Sequence, residues 1–159
     1  MSYEDVFSPK YFLPSPRLID IPVNAPAKVV SELEQAFVAS WSDYASAGNR
    51  IRAAIERLLD SLRVQRLTVN VKGKREPINL HNRISKIKGK HTAAHDSLIA
   101  IKWIGNAGSH SNALTREAVF DALDIFESVL AGLYSKHPSV ITRLVKSVNA
   151  RKGPARKRK

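Results

Sequence analysis

The segment Thr115–Tyr134, TREAVFDALDIFESVLAGLY, decides the fold class of this chain. Its apolar residues recur every three or four positions and form one broad stripe along a helix. Thr115 is a favourable N-cap, and Glu117 places a negative charge at the positive end of the helix dipole. Because so wide an apolar face has to pack against other helices, the segment predicts a helical bundle. The stripe consists of Val119, Ala122, Leu123, Phe126, Val129, Leu130 and Leu133.

Helical periodicity continues on both sides of this segment and predicts an all-α fold, a bundle of five or six helices. Asn24 is expected to cap the first helix, with Pro26 in its first turn. Gly105 and Gly108 weaken the C-terminal end of the helix that precedes Thr115. The other predicted helices cover about residues 24–41, 44–62, 77–88, 92–104 and 138–148.

Three regions are expected along the chain. Residues 1–23 carry four prolines and predict an extended lead-in, residues 24–150 the helical domain, and residues 151–159 a disordered basic tail. Within the domain, Leu67, Val69 and Val71 alternate with polar residues, as they do in a short strand. A small hairpin arm and an irregular basic loop both remain open for this part of the sequence.

The positive charge of the chain is concentrated in two segments. Lys and Arg number 26 against 14 Asp and Glu, which gives a net charge of +12. Residues 63–90 hold nine basic residues and only Glu76 as an acid, and residues 151–159 hold six basic residues and no acid. Such local density favours a polyanion such as nucleic acid as the partner. The candidate contacts are Lys72, Lys74, Arg75, Arg83, Lys86, Lys88, Lys90, Arg151, Lys152, Arg156, Lys157, Arg158 and Lys159.

Several classes of protein are disfavoured by what the sequence lacks. No cysteine is present, and no apolar run approaches the length of a membrane span. The acidic, polar N-terminus does not resemble a secretory signal, so a cytoplasmic location is expected. His91 and His95 are four apart, but further ligands are poorly placed, and neither a metal nor a cofactor is expected. Phosphate-binding glycine loops and nucleophile motifs are likewise missing.

Lys102, Asn106 and His110 are spaced four and four apart and would form one polar stripe on a continuous helix. A cation, an amide and an imidazole so placed are able to hold a phosphate and move a proton. The alternative is that they cap and stitch a helix end. Arg52 and Glu56 are also four apart, either as an exposed ion pair or with Arg52 supplying a cation to the same pocket.

Two segments, residues 47–62 and 80–112, followed by the Thr115–Tyr134 helix, resemble the bacterial family called domain of unknown function 4145. That family is grouped with the HEPN superfamily of helical bundles. The resemblance implies a bundle that often pairs as a homodimer, beside restriction, phage-defence or toxin–antitoxin functions. Many HEPN domains are metal-independent ribonucleases with an arginine, a polar residue and then a histidine. Asn106 and His110 match that motif, Gly105 stands at the arginine position, and Lys102 is the nearest upstream cation.

Three functions follow as hypotheses. The leading one is a HEPN-like module with a degenerate catalytic motif that binds nucleic acid, RNA by resemblance, in a defence or regulatory system. The second is a metal-independent endoribonuclease in which His110 acts as acid or base and Lys102 holds the phosphate. In this hypothesis Asn106 positions the phosphate or a water, and Arg52 and Glu56 give support. The third is a dimerising subunit with a protein partner in a toxin–antitoxin or restriction system.

Overall fold

The structure is a computed structural model of the 159-residue chain and describes residues 10–110, 114–135 and 149. The described part confirms the all-α fold class, with a small two-stranded sheet added to it. The helix predicted at 138–148 lies outside the described residues. The elements are α1 (Ala27–Ala39), α2 (Tyr44–Ser61), β1 (Leu67–Val69), β2 (Arg75–Pro77), α3 (Leu80–Ser85), α4 (Thr92–His110) and α5 (Arg116–Tyr134).

Helix α2 lies at the centre of the bundle. It packs against α1 along much of its length and also contacts α3, α4 and α5, while α4 and α5 pack against each other. In α5 the predicted stripe is buried except for Leu133, which is partly buried, and burial of such apolar side chains supplies the main driving force for folding. The largest fully buried side chains are Phe37, Phe126, Leu33, Ile51, Ile55, Leu58, Leu59, Ile84, Leu98, Leu123, Leu130 and Val29.

The starts of the helices are set by local hydrogen bonds. Thr115 caps α5 as predicted, because its Oγ1 accepts a bond from the Ala118 N–H at 3.2 Å. The prediction that Asn24 caps the first helix is wrong. Pro26 occupies the N-cap position, where its backbone oxygen accepts bonds from the N–H groups of Val29 and Val30. Asn24 instead lies in the turn that precedes this proline.

Helix α3 is shorter than predicted. It begins at Leu80 rather than Pro77 because Pro77 belongs to β2 and the Ile78 N–H donates to the Arg66 backbone oxygen at 2.8 Å. The Asn79 side chain then caps the helix by accepting a bond from the Asn82 N–H at 2.8 Å. Helix α4, in contrast, continues past Gly105, so the glycines do not end it.

The chain leaves α2 through a tight C-terminal turn. The Arg63 N–H donates to the backbone oxygen of Asp60, and the Val64 N–H donates to the backbone oxygen of Leu59, both at 2.9 Å. These two bonds form a Schellman motif, and Arg63 occupies its left-handed position with a φ of 60°. The motif directs the chain from the bundle into the β1–β2 hairpin.

Gly48 and Leu114 mark a close approach within the bundle. A Cβ atom added to Gly48, which lies in α2, would come within 2.7 Å of Leu114 Cδ2. Leu114 precedes α5 and is half-buried against the core. The absent side chain at position 48 therefore makes room for the leucine that leads into α5.

Residues 10–25 contain neither helix nor strand, and part of this lead-in packs on the bundle. Ile19 is buried in the core, and the ring of Phe12 lies 4.5 Å from that of Trp41 between centroids. Among the described residues, none of the helices combines the length and the apolar character that crossing a membrane requires.

Candidate functional site

The β1–β2 hairpin is attached to the bundle through the carboxylate of Asp60 at the end of α2. Arg66, at the root of the hairpin, donates to this carboxylate through both Nε and Nη2, the Nε bond measuring 2.6 Å. Arg83 of α3 donates to the same carboxylate at 2.8 Å and to the Val64 backbone oxygen at 3.2 Å. Asp60 therefore joins α2, the hairpin and α3 at one point.

The electrostatic state of Asp60 follows from these bonds. The hydrogen bond from Arg66 is the largest influence and, together with the bond from Arg83, lowers the pKa of Asp60 from 3.8 to about 2. Partial burial of the carboxyl group acts in the opposite direction. Asp60 is therefore ionised at neutral pH and offsets the positive charge at the root of the hairpin.

The tip of the hairpin is held by Asn70. Its side-chain oxygen accepts bonds from the N–H groups of Lys72 and Lys74 at 2.9 and 3.0 Å, and its amide donates to Glu76. Gly73 has a φ of 74°, a conformation that side-chain-bearing residues rarely adopt. The turn is thus defined by local chemistry, although the side chains around it are exposed.

Six of the predicted phosphate contacts are exposed and lie on the hairpin or on the connection from α3 to α4. Within the described residues none of the six takes part in an ion pair. Their charges are therefore available to an external polyanion. The six are Lys72, Lys74, Arg75, Lys86, Lys88 and Lys90.

Arg83 does not belong to this surface, which corrects its place among the candidate contacts. Its side chain is only 5% exposed and is paired with Asp60. A buried guanidinium that already binds a carboxylate cannot reach an external phosphate without breaking that pair. The tail candidates at 151–159 lie outside the described residues.

A second feature is a cavity of about 510 Å³ between α2, α4 and α5. Apolar side chains form most of its wall, and both Arg52 and Lys102 line it. The structure therefore brings together two of the predicted catalytic candidates from different helices. Glu56 is not among the lining residues and forms no ion pair with Arg52 in the described part of the chain.

The remaining catalytic candidates share α4 with Lys102. Because α4 is continuous from Thr92 to His110, positions 102, 106 and 110 follow one another at helical spacing. The side chains of Asn106 and His110 lie outside the described residues. The Lys102 ammonium lies 4.1 Å from the centroid of the Trp103 ring, a cation–π contact on a tryptophan that is 58% exposed.

Sequence reasoning missed Asp60 and Arg66, which position the hairpin. A usable signal was present, since Asp60 and Glu76 are the acids nearest the basic segment 63–90. An acid beside so many cations has a high chance of pairing with several of them. Which cations it selects depends on the turn at Arg63, which local sequence pattern did not reveal.

These observations define a helical-bundle protein with a basic hairpin attached to one end of its central helix. The sequence matches the model of the family described as "Domain of unknown function (DUF4145)" over residues 34–152, and the chain belongs to that family. No curated protein matches the sequence. No solved structure matches it either.

Proposed function

We propose that this protein is a HEPN-like helical module that binds the sugar–phosphate backbone of nucleic acids. The observation that carries the proposal is the set of six exposed, unpaired cations on the hairpin and the α3–α4 connection, within the described residues. Backbone contacts of this kind give affinity with little sequence preference. The proposal includes a homodimer and a role in a bacterial defence or regulatory system, as the resemblance implies, and the cytoplasmic location expected from the sequence.

The distribution of unpaired cations supports a localised binding surface rather than positive charge spread evenly over the protein. In the segment 63–90, Arg66 and Arg83 are bound to Asp60, whereas six of the other seven cations lie on the hairpin and the α3–α4 connection; the seventh, Arg63, lies at the end of α2. Glu76, the single acid in this segment, accepts a hydrogen bond from the Asn70 side-chain amide. A polyanion that approaches from the hairpin side therefore meets cations with few competing acids.

Counterion release makes the proposal testable by salt titration. Each neutralised phosphate contributes about −0.9 to the slope of log K against log salt for duplex DNA, and about −0.7 for single strands. Fluorescence anisotropy with labelled 20-mers should show affinity falling by about 10³-fold between 50 and 200 mM salt if all six cations engage. An affinity that is insensitive to salt over this range would contradict the proposal.

Matched triple variants locate the surface. We expect Lys72/Lys74/Arg75→Gln and Lys86/Lys88/Lys90→Gln each to weaken binding and to reduce the salt slope by about 2 to 3. The control is Lys10/Lys28/Arg116→Gln, which removes the same charge from exposed positions elsewhere. Equal losses in all three variants would indicate a general charge effect and would refute the proposed surface.

A metal-independent endoribonuclease is the second candidate, because Arg52 and Lys102 line one cavity beside α4. In that function Arg52 supplies the cation that Gly105 cannot, and His110 transfers the proton. Labelled RNA incubated in EDTA should then be cleaved by the wild type, and less by His110→Ala and Arg52→Ala. Absence of cleavage, or equal cleavage by His110→Ala, eliminates this candidate while leaving backbone binding intact.

A further inference from the structure

The hairpin presents an apolar face that the bundle does not cover. Leu67 pairs with Pro77 and Val69 with Arg75, so these four side chains share one face of the ribbon. Every residue of both strands is exposed. Val71, which follows β1 at the tip, is completely exposed. Packing within the fold therefore does not explain why apolar residues stand at positions 67, 69 and 71.

The hairpin is nevertheless held in a defined shape at both ends. Asn70 fixes the turn through two backbone N–H groups, and the Asp60–Arg66 pair fixes the root. A two-stranded hairpin alone is marginally stable in water. These restraints reduce the ordering entropy that a flexible arm would lose on binding a partner.

The two-stranded shape and the positive charge of the hairpin match the major groove of B-form DNA. The major groove of B-form DNA is about 12 Å wide and admits a two-stranded β-ribbon, whose apolar side chains can contact thymine methyl groups. Lys72 and Lys74 at the tip would meet the phosphates that border the groove, whereas Arg75 shares the face of Leu67 and Val69 and would point into it. An apolar face bordered by cations is therefore complementary to this groove.

Two other forms of nucleic acid fit the hairpin less well. The major groove of an A-form RNA duplex is too deep and narrow for side chains to read. Proteins that bind single strands stack bases on aromatic side chains, and residues 63–90 contain no Phe, Tyr or Trp. The geometry thus points away from RNA, the form that the family resemblance implies.

We infer that the hairpin at residues 66–78 inserts into the major groove of B-form duplex DNA, with Leu67 and Val69 facing the bases. This inference rests on the proposed function and specifies its substrate class. Arg66 stays with Asp60 at the root and keeps the ribbon projecting from the bundle.

Disulfide trapping tests the inference directly, because the chain has no cysteine of its own. The Val71→Cys thiolate should attack an activated mixed disulfide tethered to cytosine N4 of a DNA duplex, in the major groove, forming the protein–DNA disulfide and releasing the small leaving thiol. It should react at least tenfold less with a tether on guanine N2 in the minor groove. Ser128→Cys, an exposed position on α5, is the control and should react with neither duplex above background.

Affinity measurements give an independent readout. At equal salt, the wild type should bind a 20-base-pair DNA duplex at least tenfold more tightly than the RNA duplex of the same sequence. Trapping from the minor groove, equal trapping from both grooves, or a preference for the RNA duplex would overturn the inference. If the wild type still binds nucleic acid in a salt-dependent way, any of these results would leave the proposed function standing. If the wild type binds neither duplex, both the inference and the proposed function are refuted.

An acidic protein partner is the competing occupant of the same surface. A Val71→Cys variant that is trapped by neither duplex, although it keeps the wild-type circular dichroism spectrum and melting temperature, would favour this occupant over DNA. That result also overturns the inference.

Discussion

Asp60 of α2 and Arg83 of α3 form a largely buried ion pair in which Oδ1 and Nη2 are 2.8 Å apart. The Arg83 side chain is 5% exposed and that of Asp60 is 22% exposed. Charges removed from water to this extent depend on each other, because neither can be satisfied by solvent alone. Removing one partner of this pair should therefore destabilise the fold more than removing one partner of an exposed pair.

Asp60→Ala should lower the free energy of unfolding by about 3 kcal/mol, since it leaves the Arg83 guanidinium buried without its carboxylate. Urea denaturation followed by circular dichroism measures this change. The control is Glu34→Ala, which breaks the exposed Arg17–Glu34 contact at 3.6 Å and should cost less than about 1 kcal/mol. Similar losses in the two variants would show that the Asp60 pair has no special role.

The lowered pKa of Asp60 predicts a specific loss of stability in acid. Because the pKa is about 2 in the folded state and near 3.8 without its partners, the stabilisation is complete above about pH 5. It is lost as the pH falls through 3.8 towards 2. The difference in unfolding free energy between wild type and Asp60→Asn should therefore shrink by about 2 kcal/mol between pH 6 and pH 2. A constant difference across this range would contradict the assignment.

Arg63→Gly should stabilise the protein by roughly 0.5–1 kcal/mol. Arg63 has a φ of 60°, where a Cβ atom is unfavourable. The free energy gained by removing this Cβ atom exceeds the free-energy cost of the extra conformational entropy that glycine has in the unfolded chain. Arg63→Ala retains the Cβ atom while removing the same charge, so it should show no such gain. Thermal and urea unfolding of the two variants separate backbone strain from charge repulsion.

Gly48 and Leu114 should be energetically coupled. In a Leu114→Ala background, Gly48→Ala should raise the free energy of unfolding by about 1 kcal/mol, because alanine has the higher helix propensity. With Leu114 present, the 2.7 Å approach to Cδ2 should offset most of this gain. A double-mutant cycle in urea measures the difference, and additivity of the two changes would show that the contact has no influence.

The helical part of the fold could be predicted where periodicity and capping agreed. Thr115 and the stripe of α5 are examples, since both signals are local and independent of the rest of the chain. Asn24 shows the limit of this reasoning. Its side chain is a favourable cap, yet Pro26 stands two residues later and its own carbonyl starts the helix. Two acceptable local solutions competed, and the sequence pattern alone did not rank them.

The candidate surface was predictable in charge but not in detail. Arg83 and Lys86 are three residues apart and looked equivalent, but α3 turns Arg83 towards Asp60 and leaves Lys86 exposed. The deciding contact spans 23 positions of sequence. Similarly, Arg52 and Lys102 meet at one cavity only because α2 and α4 pack together. Such contacts depend on tertiary packing, which spacing within one helix cannot supply.

The hairpin is joined to the bundle at its root, while its turn is held by bonds internal to residues 70–76. Changes at Val71 or Lys72 therefore leave the anchoring contacts of Asp60 in place. The tip should therefore tolerate changes of length and chemistry at little expense to the stability of the core.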